Sequence, residues 1–147
     1  MKLSTRARYG VRAMLDLALQ PGEAPVQLKD VAARQHISLH YLEHLITPLI
    51  GAGIVRSIRG ARGGVQLGRQ PSEIKMSEIV RLLEGSITPA ECLSDAESCP
   101  RISQCAVRDV WTEMKKAIDG VLDSMTLQDL ADRQKSKEQR EGVMYYV

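Results

Sequence analysis

Three cysteines lie within fourteen residues of a chain that contains no others: Cys92, Cys99 and Cys105. Thiolate sulfur is a soft ligand for iron and zinc, and exposed thiols are also the side chains most open to oxidation. An odd number of cysteines argues against a secreted disulfide scaffold. The segment therefore predicts an iron–sulfur or zinc site, or metal-free redox thiols, with inert buried cysteines as the fourth alternative.

The composition limits the class of protein. A chain of 147 residues with 44% hydrophobic residues forms one ordinary domain, or a small domain with an arm. Phe is absent, so aliphatic side chains must fill the core. The chain has no apolar run long enough for a membrane span, and its charged N-terminus differs from a signal peptide. We expect a cytoplasmic protein that does not bind membranes.

Charge is distributed unevenly along the chain. Residues 1–70 carry ten Lys and Arg against four acidic residues, a net charge of +6. Residues 71–147 carry ten against fourteen, a net charge of −4. A basic half of this kind favours contact with a polyanion such as double-stranded DNA.

The basic half predicts a winged helix-turn-helix domain over residues 1–70. Apolar residues spaced by three and four predict helices over residues 5–19 and 28–34, and a third helix that begins after Ser38 and ends near Gly51. Two β-prone runs, residues 54–59 and 65–67, flank a glycine-rich turn and predict a two-stranded β wing.

The third helix is the predicted reader of DNA bases. Its outward side chains include His40, Tyr41, Glu43 and His44, which are able to exchange hydrogen bonds with base edges in the major groove. Arg59 and Arg62, near the tip of the wing, are expected in the adjacent minor groove. Pro48 predicts either a kink in this helix or that the part that reads DNA ends near residue 47.

Histidine recurs every four residues here, at positions 36, 40 and 44. This spacing raises the question of a metal site, but residue 36 precedes the predicted helix. We expect these imidazoles to face DNA or solvent rather than to bind metal.

The second half predicts a dimerisation unit over residues 71–134. A helix over residues 78–83 is expected to begin after Ser77, and a long helix follows the cysteines, from about residue 105 to residue 125. Its apolar stripe is long enough that we expect a second copy of the chain to cover it, in a homodimer that binds a palindromic operator. A last helix is predicted over residues 126–133, followed by a poorly ordered tail over residues 135–147.

Four segments together carry a family resemblance: LSTRARYGVRAMLDLAL, SLHYLEHLI, SIRGARGGVQLGR and the cysteine segment. They resemble the Rrf2 family of bacterial regulators, and most of all its iron–sulfur members. The resemblance implies a mainly α fold and a homodimeric winged-helix transcription factor with a long C-terminal dimerisation helix. It also implies DNA contacts by Ser38, His40, Tyr41, Glu43, His44 and Arg59. Finally, it implies a 2Fe–2S or 4Fe–4S cluster on Cys92, Cys99 and Cys105, with 2Fe–2S slightly favoured.

Two departures from the resemblance concern the cluster. The first cysteine spacing is one residue longer than is usual in the family. Arg108 and Arg8 occupy the two positions that supply a fourth ligand in typical iron–sulfur members. Glu91, Asp95, Asp109, a loop serine, solvent or a small thiol remain as candidates.

Together these patterns predict a repressor-like regulator that senses iron–sulfur status, oxygen or nitric oxide. A metal-free thiol regulator is the main alternative, and an electron carrier or a cluster or zinc scaffold is a weaker one. Electron carriers generally bring four cysteines of their own. The chain has no catalytic triad pattern, phosphate loop or dinucleotide fingerprint, so we do not expect an enzyme.

Overall fold

The helices form from the predicted segments, with small shifts at their ends. A computed structural model describes residues 2–144. Within that range the helices are α1 (Thr5–Leu19), α2 (Leu28–Gln35), α3 (Leu39–Gly51), α4 (Met76–Glu84), α5 (Ala106–Ser124) and α6 (Leu127–Met144). The strands are β1 (Val55–Ile58) and β2 (Gly64–Leu67). Single 3₁₀ turns cover Pro71–Glu73, Glu91–Leu93 and Ile102–Gln104. This mainly helical, winged-helix architecture confirms the predicted fold class.

Helix α1 is fixed at its start by a side-chain cap and in its middle by a glycine. The Ser4 hydroxyl oxygen accepts the backbone N–H of Ala7 at 3.1 Å, which satisfies one of the free donors of the first turn. Gly10 is buried, and a Cβ atom there would collide with the side chain of Leu83 on α4. The absence of a side chain at residue 10 therefore lets α1 and α4 approach closely.

A left-handed residue makes the turn between α2 and α3. His36 has φ 54° and ψ 46°, and its backbone N–H donates to Ala33. Among residues 2–144 it is the one non-glycine residue with positive φ. This conformation costs an ordinary side chain roughly 1–2 kcal/mol, and it directs the chain into α3, where Ser38 caps the helix as expected.

Replacing His36 with Gly is expected to raise the free energy of unfolding by about 0.5–1 kcal/mol, because relief of the left-handed penalty exceeds the entropy cost of glycine. His36→Asn should give a smaller gain, and His36→Val a loss. Urea unfolding of the three variants measures these differences. A destabilised glycine variant would mean that the imidazole makes a contact worth more than the strain.

Helix α3 continues through Pro48 to Gly51, which confirms its predicted end near Gly51. Pro48 lacks a backbone donor, but the side chains on the inner side of this turn are anchored in the core: Leu45, Ile46 and Leu49 are at most 1% exposed. Thr47 also donates its hydroxyl to the Glu43 carbonyl at 2.7 Å. Packing thus holds the helix where the proline removes a hydrogen bond.

The wing, defined here as β1, β2 and residues 59–63 between them, is an antiparallel hairpin. Val55 pairs with Leu67 and Ile58 with Gly64. Gly60 has φ 113°, a conformation that favours glycine, and its carbonyl accepts the N–H of Gly63 at 3.0 Å. Two further backbone hydrogen bonds of 2.8 Å join Val65 to Val26, so the wing is tied to the segment before α2.

Helix α4 begins earlier than predicted. It starts at Met76, and Ser77 lies buried inside its first turn rather than capping it. The Lys75 N–H is instead accepted by the Glu78 carboxylate at 3.2 Å. The Ser77 hydroxyl and the nearby Arg81, 3.7 Å from the carboxylate, hold the pKa of Asp123 on α5 below its usual value. Residue 77 therefore links two helices.

Helix α5 matches its predicted bounds to within a residue and has no buried residue in the protomer. The chain then returns through Leu127, whose N–H donates to Ile74 at 2.9 Å. The prediction that the last helix ends near Arg133 is wrong, because α6 runs on to Met144. Residues beyond Gln134 are exposed and rich in good helix formers. The rest of the predicted tail, residues 145–147, lies outside the described residues.

A single hydrophobic core contains residues from both sides of residue 70. Met14 on α1, Leu42 on α3, Ile79 on α4 and Leu127 on α6 are all fully buried in it. The helices from the second half thus support the helix-turn-helix directly. Of the helices within residues 2–144, none combines the length and the apolarity needed to cross a bilayer.

Candidate nucleic-acid interface and cysteine loop

The outward side of α3 carries the predicted base-contacting side chains. We call His40, Tyr41, Glu43 and His44 the reading face. His40, Glu43 and His44 are exposed and Tyr41 is half-buried. The opposite side of the helix is anchored in the core, which fixes the direction of the reading face. Polar side chains on a rigid, exposed helix face are able to hydrogen-bond with base edges in a major groove.

Ser38 and Tyr41 have structural contacts as well. The Ser38 hydroxyl oxygen accepts the Tyr41 N–H at 3.1 Å, which leaves its own O–H free to donate. The ring of Tyr41 meets the edge of Tyr9 on α1, with centroids 6.3 Å apart and planes at 86°. The Arg12 guanidinium lies 5.2 Å from the Tyr9 ring centroid. This stack holds one side chain of the reading face against α1.

A polar cluster that the sequence did not reveal holds α2 to α1. We call it the Asp16 cluster: Asp16, Gln20, Arg34 and Gln35. The Asp16 carboxylate is 4% exposed and accepts hydrogen bonds from Arg34 at 2.6 and 3.0 Å and from Gln35 at 2.9 Å. The same carboxylate raises the pKa of Arg34 above its ordinary value. The cluster sets the position of α2, and through the His36 turn that of α3.

The wing exposes both of its predicted DNA-contacting residues. Arg59 and Arg62 flank Gly60 and are exposed. Among the described residues neither forms an ion pair with an acidic side chain. Both guanidinium groups therefore remain available to an anion such as a phosphate, or to a narrow minor groove.

Two histidines of the reading face contact each other. The Nε2 atoms of His40 and His44 lie 3.2 Å apart, which is within hydrogen-bond distance. The ring centroids are 4.6 Å apart and the planes stand at 87°. His36 does not join them through helical spacing, since its left-handed conformation takes it off the axis of α3. The sequence placed residue 36 before the helix, and the structure agrees by bringing together only His40 and His44.

The cysteine loop, residues 86–105, leads into the N-terminus of α5. All three thiols are free and half-buried. Cys92 lies in a 3₁₀ turn, and Cys105 immediately precedes α5. The Arg108 guanidinium donates to the Cys92 carbonyl at 3.3 Å. Arg108, at the position where typical iron–sulfur members supply a ligand, therefore ties the loop backbone to α5.

The cysteines match an iron–sulfur cluster in donor chemistry but are not assembled as a site. Three soft thiol donors on one short segment are the ligands that iron clusters use. Within residues 2–144, however, no three His, Cys, Asp or Glu side chains are grouped so as to hold a metal ion. A cluster would therefore require the loop to rearrange around it.

Several functional contacts escaped the sequence reasoning. Tyr9, Arg12 and Asp16 lie on a predicted helix, but their partners Tyr41, Gln35 and Arg34 are 18 to 32 positions away and share no local motif with them. Arg12 also donates to the backbone carbonyl of Gln35 at 3.2 Å. No local signal marked Asp16, because its position lies on the far side of the helix from the apolar stripe that the spacing predicts for α1.

Sequence comparisons identify the family. The family model described as Rrf2, iron-dependent transcriptional regulator, matches residues 3–133. The chain is 44% identical over 147 residues to the HTH-type transcriptional regulator CymR of Bacillus subtilis (strain 168), covering 100% of each. It is 39% identical over 134 residues to the HTH-type transcriptional regulator IscR of Photorhabdus laumondii subsp. laumondii, covering 91% of this chain and 81% of that relative.

Solved structures agree with the sequence comparisons. The structure of CymR, described as the global cysteine regulator of B. subtilis, matches with a TM-score of 0.78 over 90% of this chain and 98% of that chain. IscR of T. potens matches with a TM-score of 0.79 at 43% identity, over 99% of this chain and 97% of that chain. Since both the sequence and the fold agree over nearly the whole length, the chain belongs to the Rrf2 family of transcriptional regulators.

Proposed function

We propose that this protein is a cytoplasmic, homodimeric repressor that binds a palindromic operator through the reading face and the wing. The observation that carries the proposal is that the reading face is exposed on a helix anchored in the core, together with two wing arginines that form no ion pair within residues 2–144. In each protomer α3 would enter the major groove. The Ser38 hydroxyl, at the N-terminus of α3, would donate to the sugar–phosphate backbone of the DNA. Arg59 and Arg62 would enter the adjacent minor groove. These are the roles of a DNA-binding regulator and not of an enzyme.

A second copy of the chain is the proposed cover for α5. Val107, Val110 and Val121 are 53–59% exposed on this helix, and Met114 is 39% exposed. Apolar residues at this spacing form a stripe that a matching helix of the partner would bury. A two-fold dimer then presents two reading faces to two half-sites.

For the signal, we propose that Cys92, Cys99 and Cys105 hold an iron–sulfur cluster, with 2Fe–2S slightly favoured over 4Fe–4S. When bound, such a cluster supplies one-electron redox chemistry and sensitivity to iron, oxygen or nitric oxide. The chain's own contribution is the link from Cys92 through Arg108 to α5. Loop rearrangement at this point would move α5 and change the spacing of the two reading faces.

A metal-free thiol regulator is the second candidate. The similarity to CymR, a cysteine regulator by its description, favours a metal-free regulator. So does the arrangement of the thiols, which within residues 2–144 are not grouped as metal ligands. In that case oxidation of the loop thiols would act through the same contact between the loop and α5. The two candidates share the DNA-binding machinery and differ only in what the thiols carry.

One reconstitution separates the candidates. The purified protein is incubated anaerobically with iron and sulfide, and its absorption spectrum, iron and sulfide counts are measured. Operator affinity is then measured with and without the cluster, on a duplex selected from randomised DNA. We expect visible absorption, two or four irons per chain, and a change in operator affinity of about tenfold, typical of coupling between two sites.

The control for this experiment is the Cys92→Ser/Cys99→Ser/Cys105→Ser variant, which should bind operator but show no response to iron and sulfide. A colourless wild type whose affinity responds to oxidant alone would favour the thiol regulator. Failure of the selection to return any sequence, or binding that ignores salt, would contradict DNA recognition itself.

A further inference from the structure

The reading face holds a pair of imidazoles in a geometry that suits a metal ion. We propose that His40 and His44 form a two-ligand site for a late first-row divalent cation, of the class Ni²⁺, Cu²⁺ or Zn²⁺, and that its occupation competes with operator DNA. The metal site itself requires only the His40 and His44 side chains and does not depend on DNA binding. The competition rests on the proposed function, because it requires α3 to enter the major groove.

The distance between the ring nitrogens is the first argument. Two imidazole nitrogens bound to one ion at about 2.0–2.1 Å, with an angle of about 90–110° between them, lie about 2.8–3.4 Å apart. In the protein the Nε2 atoms of His40 and His44 are 3.2 Å apart. The nitrogen separation therefore already matches that of two imidazoles on one ion, and rotation of the rings would direct both lone pairs at it.

The helix supplies the second argument, because it fixes the pair before any ion binds. Residues four apart on an α-helix lie on the same face. The backbone of α3 is anchored in the core by Leu42 and Leu45, which are at most 1% exposed. The entropy cost of bringing two ligands together is therefore largely met by folding. Imidazole nitrogen is a preferred donor for zinc, copper and nickel.

Exposure of the pair sets its affinity and accessibility. Both rings are exposed, so an ion reaches them directly from solvent. Within residues 2–144 no third His, Cys, Asp or Glu completes the group, which leaves the remaining coordination positions to water. Such a site binds more weakly than a structural zinc site with four protein ligands, and it responds to changes in cation concentration.

The position of the two histidines on the reading face explains why a bound metal ion would compete with DNA. An ion bound between the two Nε2 atoms, with its water shell, occupies the volume in front of α3 that a base pair would fill. It also consumes the nitrogen lone pairs that accept hydrogen bonds from bases. By linkage, DNA must weaken metal binding by the same factor by which the metal weakens DNA binding.

Direct titration tests the site without DNA. Ni²⁺ binding is measured by calorimetry on the full chain in the Cys92→Ser/Cys99→Ser/Cys105→Ser background, so that the thiols do not capture the ion. We expect one site per chain, and His44→Gln should weaken it at least about tenfold, since even residues that only support a ligand typically contribute that much. His36→Asn, which removes a nearby histidine outside the pair, should leave Ni²⁺ affinity unchanged. Equal Ni²⁺ affinity in the parent and His44→Gln proteins would overturn the proposal.

The competition is tested with the selected operator. The ratio of operator Kd with and without Ni²⁺ should exceed one for the parent protein and for His36→Asn, and should be one for His44→Gln. Each variant is compared with itself, because His44 belongs to the reading face and its loss alters DNA binding. A ratio of one in all three proteins would overturn the competition. If no operator is found, the proposed function fails, while the calorimetry still decides the metal site.

Discussion

Replacing Asp16 with Ala is expected to lower the free energy of unfolding by about 2–3 kcal/mol, the largest effect of any single polar substitution in the helix-turn-helix. The buried carboxylate accepts hydrogen bonds from Arg34, Gln35 and, at 3.4 Å, Gln20. Its loss leaves those donors facing an apolar side chain. The estimate stays below the value for a fully buried pair because the Arg34 side chain is 41% exposed. Urea unfolding monitored by circular dichroism measures the loss.

Two further variants separate the buried contact from charge alone. Asp30→Ala removes an exposed acid from the first turn of α2 and should cost about 0.5 kcal/mol, the usual size of a helix-terminal charge effect. The Asp16→Ala/Arg34→Ala variant should lose less than the sum of its single variants, because the two groups share one contact. Additive losses would show that the carboxylate acts independently of Arg34.

Replacing both Arg59 and Arg62 with Ala is expected to weaken operator binding by about a hundredfold, or about 1.4 kcal/mol for each wing of the dimer. A dimer loses four cations, so the slope of log affinity against log salt should become shallower by about 3–4. Fluorescence anisotropy at several salt concentrations gives both quantities. The unfolding midpoint should not change, since both side chains are exposed and form no ion pair within the described residues.

The matched control for the wing is Arg133→Ala/Arg140→Ala, which removes two exposed arginines from α6. This variant has the same net charge as the wing variant but should retain most of the affinity and the salt slope. Equal losses in the two variants would mean that overall charge, and not the wing, governs DNA binding.

The fold was largely predictable because its signals are local. Ser4 and Ser38 cap helices within three residues of their own position, and the glycines of the wing mark a turn between two short strands. Apolar residues spaced by three and four identified the helix faces that meet in the core. A winged helix can be predicted from a single sequence because these short-range preferences agree with one another.

The errors arose where tertiary contacts override local preference. Ser77 looks like a helix cap but is buried in the first turn of α4, where its hydroxyl lowers the pKa of Asp123 on α5. Pro48 raised the question of a kink in α3, yet the helix continues through it and the core residues around it hold the helix together. The end of α6 is the exception: no glycine or proline follows Arg133 closely and helix-forming residues continue past it, so local preference itself favours the longer helix.

The candidate site was predictable as a list of residues but not as an arrangement. The reading face and the wing arginines were identified by position on α3 and on the hairpin. The Asp16 cluster joins residues 18 and 19 positions apart, which no spacing rule reveals. The three cysteines drew attention by proximity in sequence, whereas their mutual geometry depends on the fold of a loop with little regular structure.

The apolar stripe on α5 has a consequence for the thermal unfolding of the protein. If two chains bury this stripe together, folding and association are a single equilibrium, and the melting temperature depends on total protein concentration. Diluting the sample should then lower the melting temperature progressively, and a charged substitution such as Val110→Lys should abolish that dependence together with the dimer. Cellular abundance would thereby regulate the supply of active repressor, independently of any signal at the cysteines.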